Sequence, residues 1–177
     1  MRYSRSFAAP LAACLLALGM AAPASAQQQG GATDEVVETH GAWDIRCTPE
    51  REVCVMHQVG QGPGGNDVLE VRIRKLDGVT TESGQPIPAA IQIATPLGVL
   101  LQQGVRLKID GGETRGLPFQ ICVQGGCLVR SALPSPVVEA MKAGRVATMT
   151  VSSPQQGEIP VEISLSGFIR SFSELNP

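Results

Sequence analysis

Three segments of the chain alternate apolar and polar residues with a period of two. Leu69, Val71 and Ile73 alternate with Glu70, Arg72 and Arg74. Val105, Leu107 and Ile109 alternate with Arg106, Lys108 and Asp110, and Ile159, Val161, Ile163 and Leu165 with Pro160, Glu162, Ser164 and Ser166. That period places the apolar side chains on one face of an extended strand, so each segment needs a second layer to cover it. Fainter strand patterns occupy residues 42–47, 53–59, 89–94, 119–123, 128–131 and 146–152. Turn residues separate them: 60–65, Asp77-Gly78, Gly111-Gly112, Gly125-Gly126 and Ser153-Pro154. One helix interrupts, with Ser135 as cap, Pro136 in the first turn, residues 137–143 as body and Gly144 as stop. A short final turn is expected over residues 168–175. Many short strands with one or two small helices make an all-β antiparallel sandwich or barrel.

The first 26 residues read as a secretory signal peptide. Arg2 and Arg5 precede an apolar stretch over residues 11–22, and Ala24-Ser25-Ala26 is a small-x-small cleavage site. The stretch is shorter than the roughly 20 residues that span a bilayer, so no transmembrane segment is expected after cleavage. Leu11-Ala12-Ala13-Cys14 is similar to a lipoprotein-processing box. Only residues 7–10 separate it from the charges, however, and the apolar run continues beyond Cys14. Cys14 is therefore read as part of the leader. Polar residues 27–38, with three glutamines and Gly30-Gly31, read as a flexible N-terminal arm, and residues 39–177 as a single domain. The expected location is periplasmic, or secreted and outer-membrane-associated.

Loss of the leader removes two of the 14 basic residues and none of the 16 acidic ones, which turns the net charge from −2 to −4. A nucleic-acid binder usually carries the opposite excess. Only Trp43, Phe119, Phe168 and Phe172 remain as aromatics, so there is little surface on which sugars or bases could stack. The remaining cysteines are Cys47, Cys54, Cys122 and Cys127, an even number for an oxidising compartment. Of the three connectivities, sequence proximity favours Cys47–Cys54 and Cys122–Cys127. The spacings lack the tight two-residue pairs of zinc ribbons and the Cys-x-x-Cys of thioredoxin-like sites.

No motif carries catalysis. Gly60-x-Gly62-x-x-Gly65 matches the dinucleotide pattern, but a strand follows it where a helix N-terminus is needed to receive a pyrophosphate. Asp110-Gly111-Gly112-Glu113 lacks the alternating acids of a calcium loop and reads as a hairpin turn. There are two histidines, His40 and His57. An envelope hydrolase or thiol-redox enzyme using His57 or a cysteine pair is the alternative to a non-enzymatic binding protein. No cofactor or metal is expected. Arg72 and Arg74 share one polar strand face, and Arg106 and Lys108 another. Were those strands neighbours, they would form a small basic patch for weak contact with an anionic surface.

Four segments together resemble the invasion-associated locus B family. They are Gly41-Ala42-Trp43-Asp44-Ile45-Arg46-Cys47; Thr95-Pro96-Leu97-Gly98-Val99-Leu100-Leu101 with Gly104-Val105 and Asp110; Pro118-Phe119-Gln120-Ile121-Cys122 with Gly126-Cys127; and Leu165-Ser166-Gly167-Phe168. The resemblance runs over residues 39–175. It implies an exported, immunoglobulin-like β-sandwich of the bacterial envelope, and a disulfide role for Cys47, Cys54, Cys122 and Cys127. It implies no catalytic residue and no cofactor. Its partner would be an envelope or host protein, in host-cell invasion or in general envelope physiology.

Intact-mass analysis of the exported protein is expected to place the new N-terminus at Gln27 or a residue adjacent to it. A diacylglyceryl group on Cys14 would overturn this reading.

Overall fold

The computed structural model describes residues 34–176; the expected signal peptide and residues 27–33 of the expected arm lie outside them. Strands β1 (Glu35–His40), β2 (Trp43–Cys47), β3 (Cys54–Gln61), β4 (Asp67–Lys75) and β5 (Ala89–Thr95) follow one another as antiparallel neighbours. The chain then enters a second sheet through β6 (Val105–Ile109) and β7 (Thr114–Leu117). It returns to the first through β8 (Phe119–Val123) and β9 (Gly126–Leu133), with β9 seated against β5. Helix α1 (Ser135–Ala143) leads to β10 (Val146–Ser153) and β11 (Gly157–Ser164), which complete the second sheet, and α2 (Phe168–Glu174) follows. The sheet orders are β1-β2-β3-β4-β5-β9-β8 and β11-β10-β6-β7. This is the all-β, immunoglobulin-like antiparallel sandwich, with two short helices, that the sequence implies.

The three alternating segments are β4, β6 and β11. Leu69, Val71 and Ile73, Val105 and Leu107, and Val161 and Ile163 are all buried in one core. The layers meet closely at β3, where a side chain on Gly60 would collide with Val161 and Ile163 of β11. Beside it, the Gln58 amide donates to the Ser164 carbonyl (3.0 Å) and accepts the Ser164 N–H (2.9 Å), tying one sheet to the other.

The first and last segments of the resemblance form one joint. Trp43 is fully buried, donates its indole N–H to the Ser164 carbonyl (2.9 Å) and meets Phe168 edge-on at 5.6 Å. The Ala42 N–H donates to the Ser166 carbonyl (3.0 Å). Gly167 has φ +85°, and a Cβ there would run into the His40 carbonyl, so only glycine suits this position. A second joint links the middle segments. Gly126 (φ +138°) lies where a Cβ would strike the Thr95 carbonyl, and the Thr95 hydroxyl donates to the Cys127 carbonyl (3.4 Å).

Three features depart from the sequence reading. β1 begins at Glu35, inside the stretch 27–38 read as a flexible arm, and pairs with β2 from Glu35 to His40. Its pattern escaped notice because an edge strand with a bulge anchors few side chains: Val37 packs partly on the core, and of the strand only His40 is buried. β7 buries Leu117 alone, too little for a visible alternation. The helix starts at Ser135, with Pro134 in the cap position, and the Ser135 hydroxyl donates to the Pro86 carbonyl (3.3 Å) instead of capping. Among the described residues, no helix is long and apolar enough to cross a membrane.

The disulfides are Cys47–Cys54 and Cys122–Cys127, each between directly opposed residues of a hairpin. Loops this small restrict the unfolded chain little, so each contributes about 2–2.5 kcal/mol. Ile163→Ala, which empties a fully buried position, is expected to cost about 2–5 kcal/mol. Guanidinium unfolding should therefore show Cys122→Ser with Cys127→Ser folding cooperatively at reduced stability, and Ile163→Ala losing as much or more.

Candidate functional site

The inner face of the seven-stranded sheet is apolar; its outer face carries a charged row fixed by strand register. Thr39 opposes Asp44, Asp44 opposes His57, His57 opposes Arg72, Arg72 opposes Gln92, and Gln92 opposes Arg130. One row further on, Arg46 opposes Val55, and Arg74 opposes Ala90 on the same face.

Glu70 organises the middle of the row. One of its carboxylate oxygens, Oε1, accepts Arg72 Nε (2.7 Å) and lies 2.9 Å from His57 Nε2. The other arm of the Arg72 guanidinium holds Asp34, just ahead of β1, at 2.9 Å. Arg130 donates through Nε to Gln92 (3.1 Å), and its backbone N–H donates to the Gln120 side chain. His57 is buried under these side chains, and its Nδ1 and the neighbouring Arg46 Nε are buried without a hydrogen-bond partner.

Burial pushes the His57 pKa down, and the Arg46 and Arg72 charges add to that, against the pull of Glu70 and Asp44. For Glu70, burial works against ionisation, but the hydrogen bond and charge of Arg72, with help from His57, hold its carboxyl below the ordinary value. The row thus favours a neutral imidazole beside an ionised carboxylate.

Beside the row lies a groove of about 420 Å³. Asp34, Arg72, Arg74, Gln92 and Arg130 line it together with the apolar Val53, Val55, Leu76 and Ala90. The expected basic patch of Arg72, Arg74, Arg106 and Lys108 does not form. β4 belongs to the seven-stranded sheet and β6 to the other, and Arg106 is paired with Glu158 at 2.7 Å. Arg130 is the cation that joins Arg72 and Arg74 in its place. Neither Arg130 nor Asp34 stood out in the sequence, since only the β5–β9 pairing and the ion pair with Arg72 bring them there.

The remaining candidates have structural places. Gly60 lies in β3 and Gly62 and Gly65 in the β3–β4 connection, and Asp110 accepts the backbone N–H groups of Arg145 (3.2 Å) and Val146 (3.1 Å). His40 Nε2 lies 2.6 Å from Glu174 and 3.2 Å from Glu38, and Arg170 Nε lies 3.2 Å from Glu174. His40, Glu38 and Glu174 could each offer a ligand atom to a metal ion, yet in this arrangement they pair with one another and with Arg170. The cluster clasps α2 to β1. The hydrogen bond from His40 holds the Glu174 carboxyl below its ordinary range.

The family model described as "Invasion associated locus B (IalB) protein" matches residues 43–176. The chain belongs to the invasion-associated locus B family. It is 31% identical over 168 residues to an invasion protein B homolog of Brucella abortus (strain 2308), covering 89% of this chain and 88% of that one. A homolog from Brucella abortus biovar 1 (strain 9-941) matches equally. The crystal structure of invasion associated protein B from Bartonella henselae superposes with a TM-score of 0.61 at 24% identity, over 77% of this chain and 92% of that one, and shares its fold. These relatives carry invasion-related names rather than enzyme names. This family member shows where its four sequence segments go: into the two glycine joints and the disulfide hairpins.

Because the folded pKa of His57 lies below its ordinary 6.5, the unfolded chain takes up the proton first as pH falls. Stability is expected to be fully present above about pH 6.5 and to decline below it. A further loss is expected beneath the ordinary 4.5 of Glu70, whose folded pKa is also depressed. Urea midpoints from pH 8 to about pH 3 check this, and His57→Gln should remove the upper limb of the decline while leaving the lower one.

Proposed function

We propose that this protein is an exported, non-enzymatic binding domain of the bacterial envelope. On this reading it works in the periplasm or at the outer surface, and engages an envelope or host protein through the outer face of its seven-stranded sheet. The observation that carries the reading is the groove beside the charged row. It combines guanidinium groups and aliphatic side chains on a rigid, disulfide-pinned sheet, the mix of anchors and orienting polar groups that ligand-binding surfaces use. The invasion-related names of the relatives support a role in contact with host cells.

The test is cross-linking in intact cells through a photoreactive residue at position 90, inside the groove, with mass-spectrometric identification of what is captured. One reproducible partner is expected there, absent when the same residue sits at position 115 on β7 of the other sheet. Equal capture at both positions, or none at either, would count against the proposal.

A further inference from the structure

We propose that the groove receives an extended, carboxylate-bearing and partly aliphatic peptide segment of a partner protein, and that Asp34 stands in for one of that peptide's carboxylates. The inference rests on the binding role proposed above and names its ligand chemistry. Arg74 has no carboxylate partner among the described residues, and the Arg130 side chain reaches only the Gln92 amide; both are exposed. Guanidinium groups match carboxylates in planar, bidentate geometry. Among the described residues, the one carboxylate that lines the groove is Asp34, which lies ahead of the first strand and is held by a single 2.9 Å ion pair to Arg72. Val55, Leu76 and Ala90 supply apolar surface between these cations.

The same geometry selects against other anions. Asp34 lies among the arginines of the groove, and Asp44 and Glu70 lie in the adjoining row, so a membrane surface or polyanion of uniform charge meets carboxylates as well as guanidinium groups. A peptide with carboxylates spaced by aliphatic residues can set them against the guanidinium groups alone. β4, β5 and β9 are interior strands of the sheet, so their backbone edges are occupied and recognition falls to side chains.

The probe is a fluorescein-labelled pentapeptide, Asp-Glu-Val-Val-Glu, which copies residues 34–38, measured by anisotropy against the purified protein. Its counterpart Asn-Gln-Val-Val-Gln lacks the charges. The acidic peptide is expected to bind and the amide form not. Asp34→Asn should tighten binding about two- to fivefold, the range for releasing an exposed ion pair. Arg74→Glu and Arg130→Glu should each weaken it about tenfold, as expected for a lost hydrogen bond between charged groups. Arg106→Glu, on the other sheet, should change nothing, and circular dichroism melts confirm that each variant is folded.

Equal binding of the two peptides, retained affinity in Arg74→Glu and Arg130→Glu, or no binding even to Asp34→Asn would overturn the proposal. So would tighter binding of inorganic phosphate or phosphatidylglycerol vesicles through the same arginines. If the partner cross-linked at position 90 survives the double variant Arg74→Glu with Arg130→Glu, the carboxylate chemistry proposed for its ligand is wrong while the binding role stands. If the wild type captures no partner at all, the broader reading fails instead.

Discussion

The rest of the sandwich depends on the contact between the turn after β1 and the turn after β11. There Trp43 is buried to its indole N–H, Gly167 allows the His40 carbonyl to approach, and Ala42 donates across to Ser166. A buried tryptophan contributes a large apolar area, but only if its N–H finds an acceptor. That acceptor is the Ser164 carbonyl, which also receives the Gln58 amide from β3. One carbonyl therefore fixes the distance between the sheets at two strands. Phe168 and Phe172 continue the same apolar column into α2, and the His40 clasp closes it from the solvent side.

Once that spacing is set, the outer face follows from register alone. Period-two alternation sends every second side chain of β2, β3, β4, β5 and β9 away from the core. Because the strands are antiparallel and in register, those outward residues line up as Asp44, His57, Arg72, Gln92 and Arg130. A slip of one residue in β4 would turn Arg72 toward the core and Ile73 toward solvent. The hairpin disulfides oppose such slips at two points: Cys47 faces Cys54 beside the row, and Cys122 faces Cys127 at the far edge.

Much of this was legible in the sequence, and the exceptions have physical causes. Strong alternation identified β4, β6 and β11, because those strands bury one whole face. The cysteine spacing pointed to the two hairpins, because pairs five and seven residues apart are already held near each other by the chain. β1 and β7 were invisible, since each of these two strands buries a single residue. The basic patch was misplaced for a different reason. Alternation tells which face a residue occupies but not which strands are neighbours, so Arg106 and Lys108 were grouped with Arg72 and Arg74 although their strand lies in the opposite sheet. Arg130 was missed for the same lack of information, and Asp34 because its role depends on a long-range ion pair with Arg72 made just ahead of a strand that itself gave no signal.

The charged row is also not what stability alone would select. His57 Nδ1 and Arg46 Nε are buried without partners, and an unsatisfied buried polar atom costs about 1–3 kcal/mol. An exposed sheet face built only to be soluble needs no buried histidine; alternating threonines and lysines serve it without that cost. Here Glu70 commits its charge to Arg72 and His57, Asp34 commits its own to the other arm of Arg72, and Arg74 and Arg130 are left facing solvent beside aliphatic side chains. Of the three buried side-chain polar atoms without a partner among the described residues, two lie at this face and the third is the Ser171 hydroxyl of α2; departures of that kind concentrate where a surface is kept for a ligand.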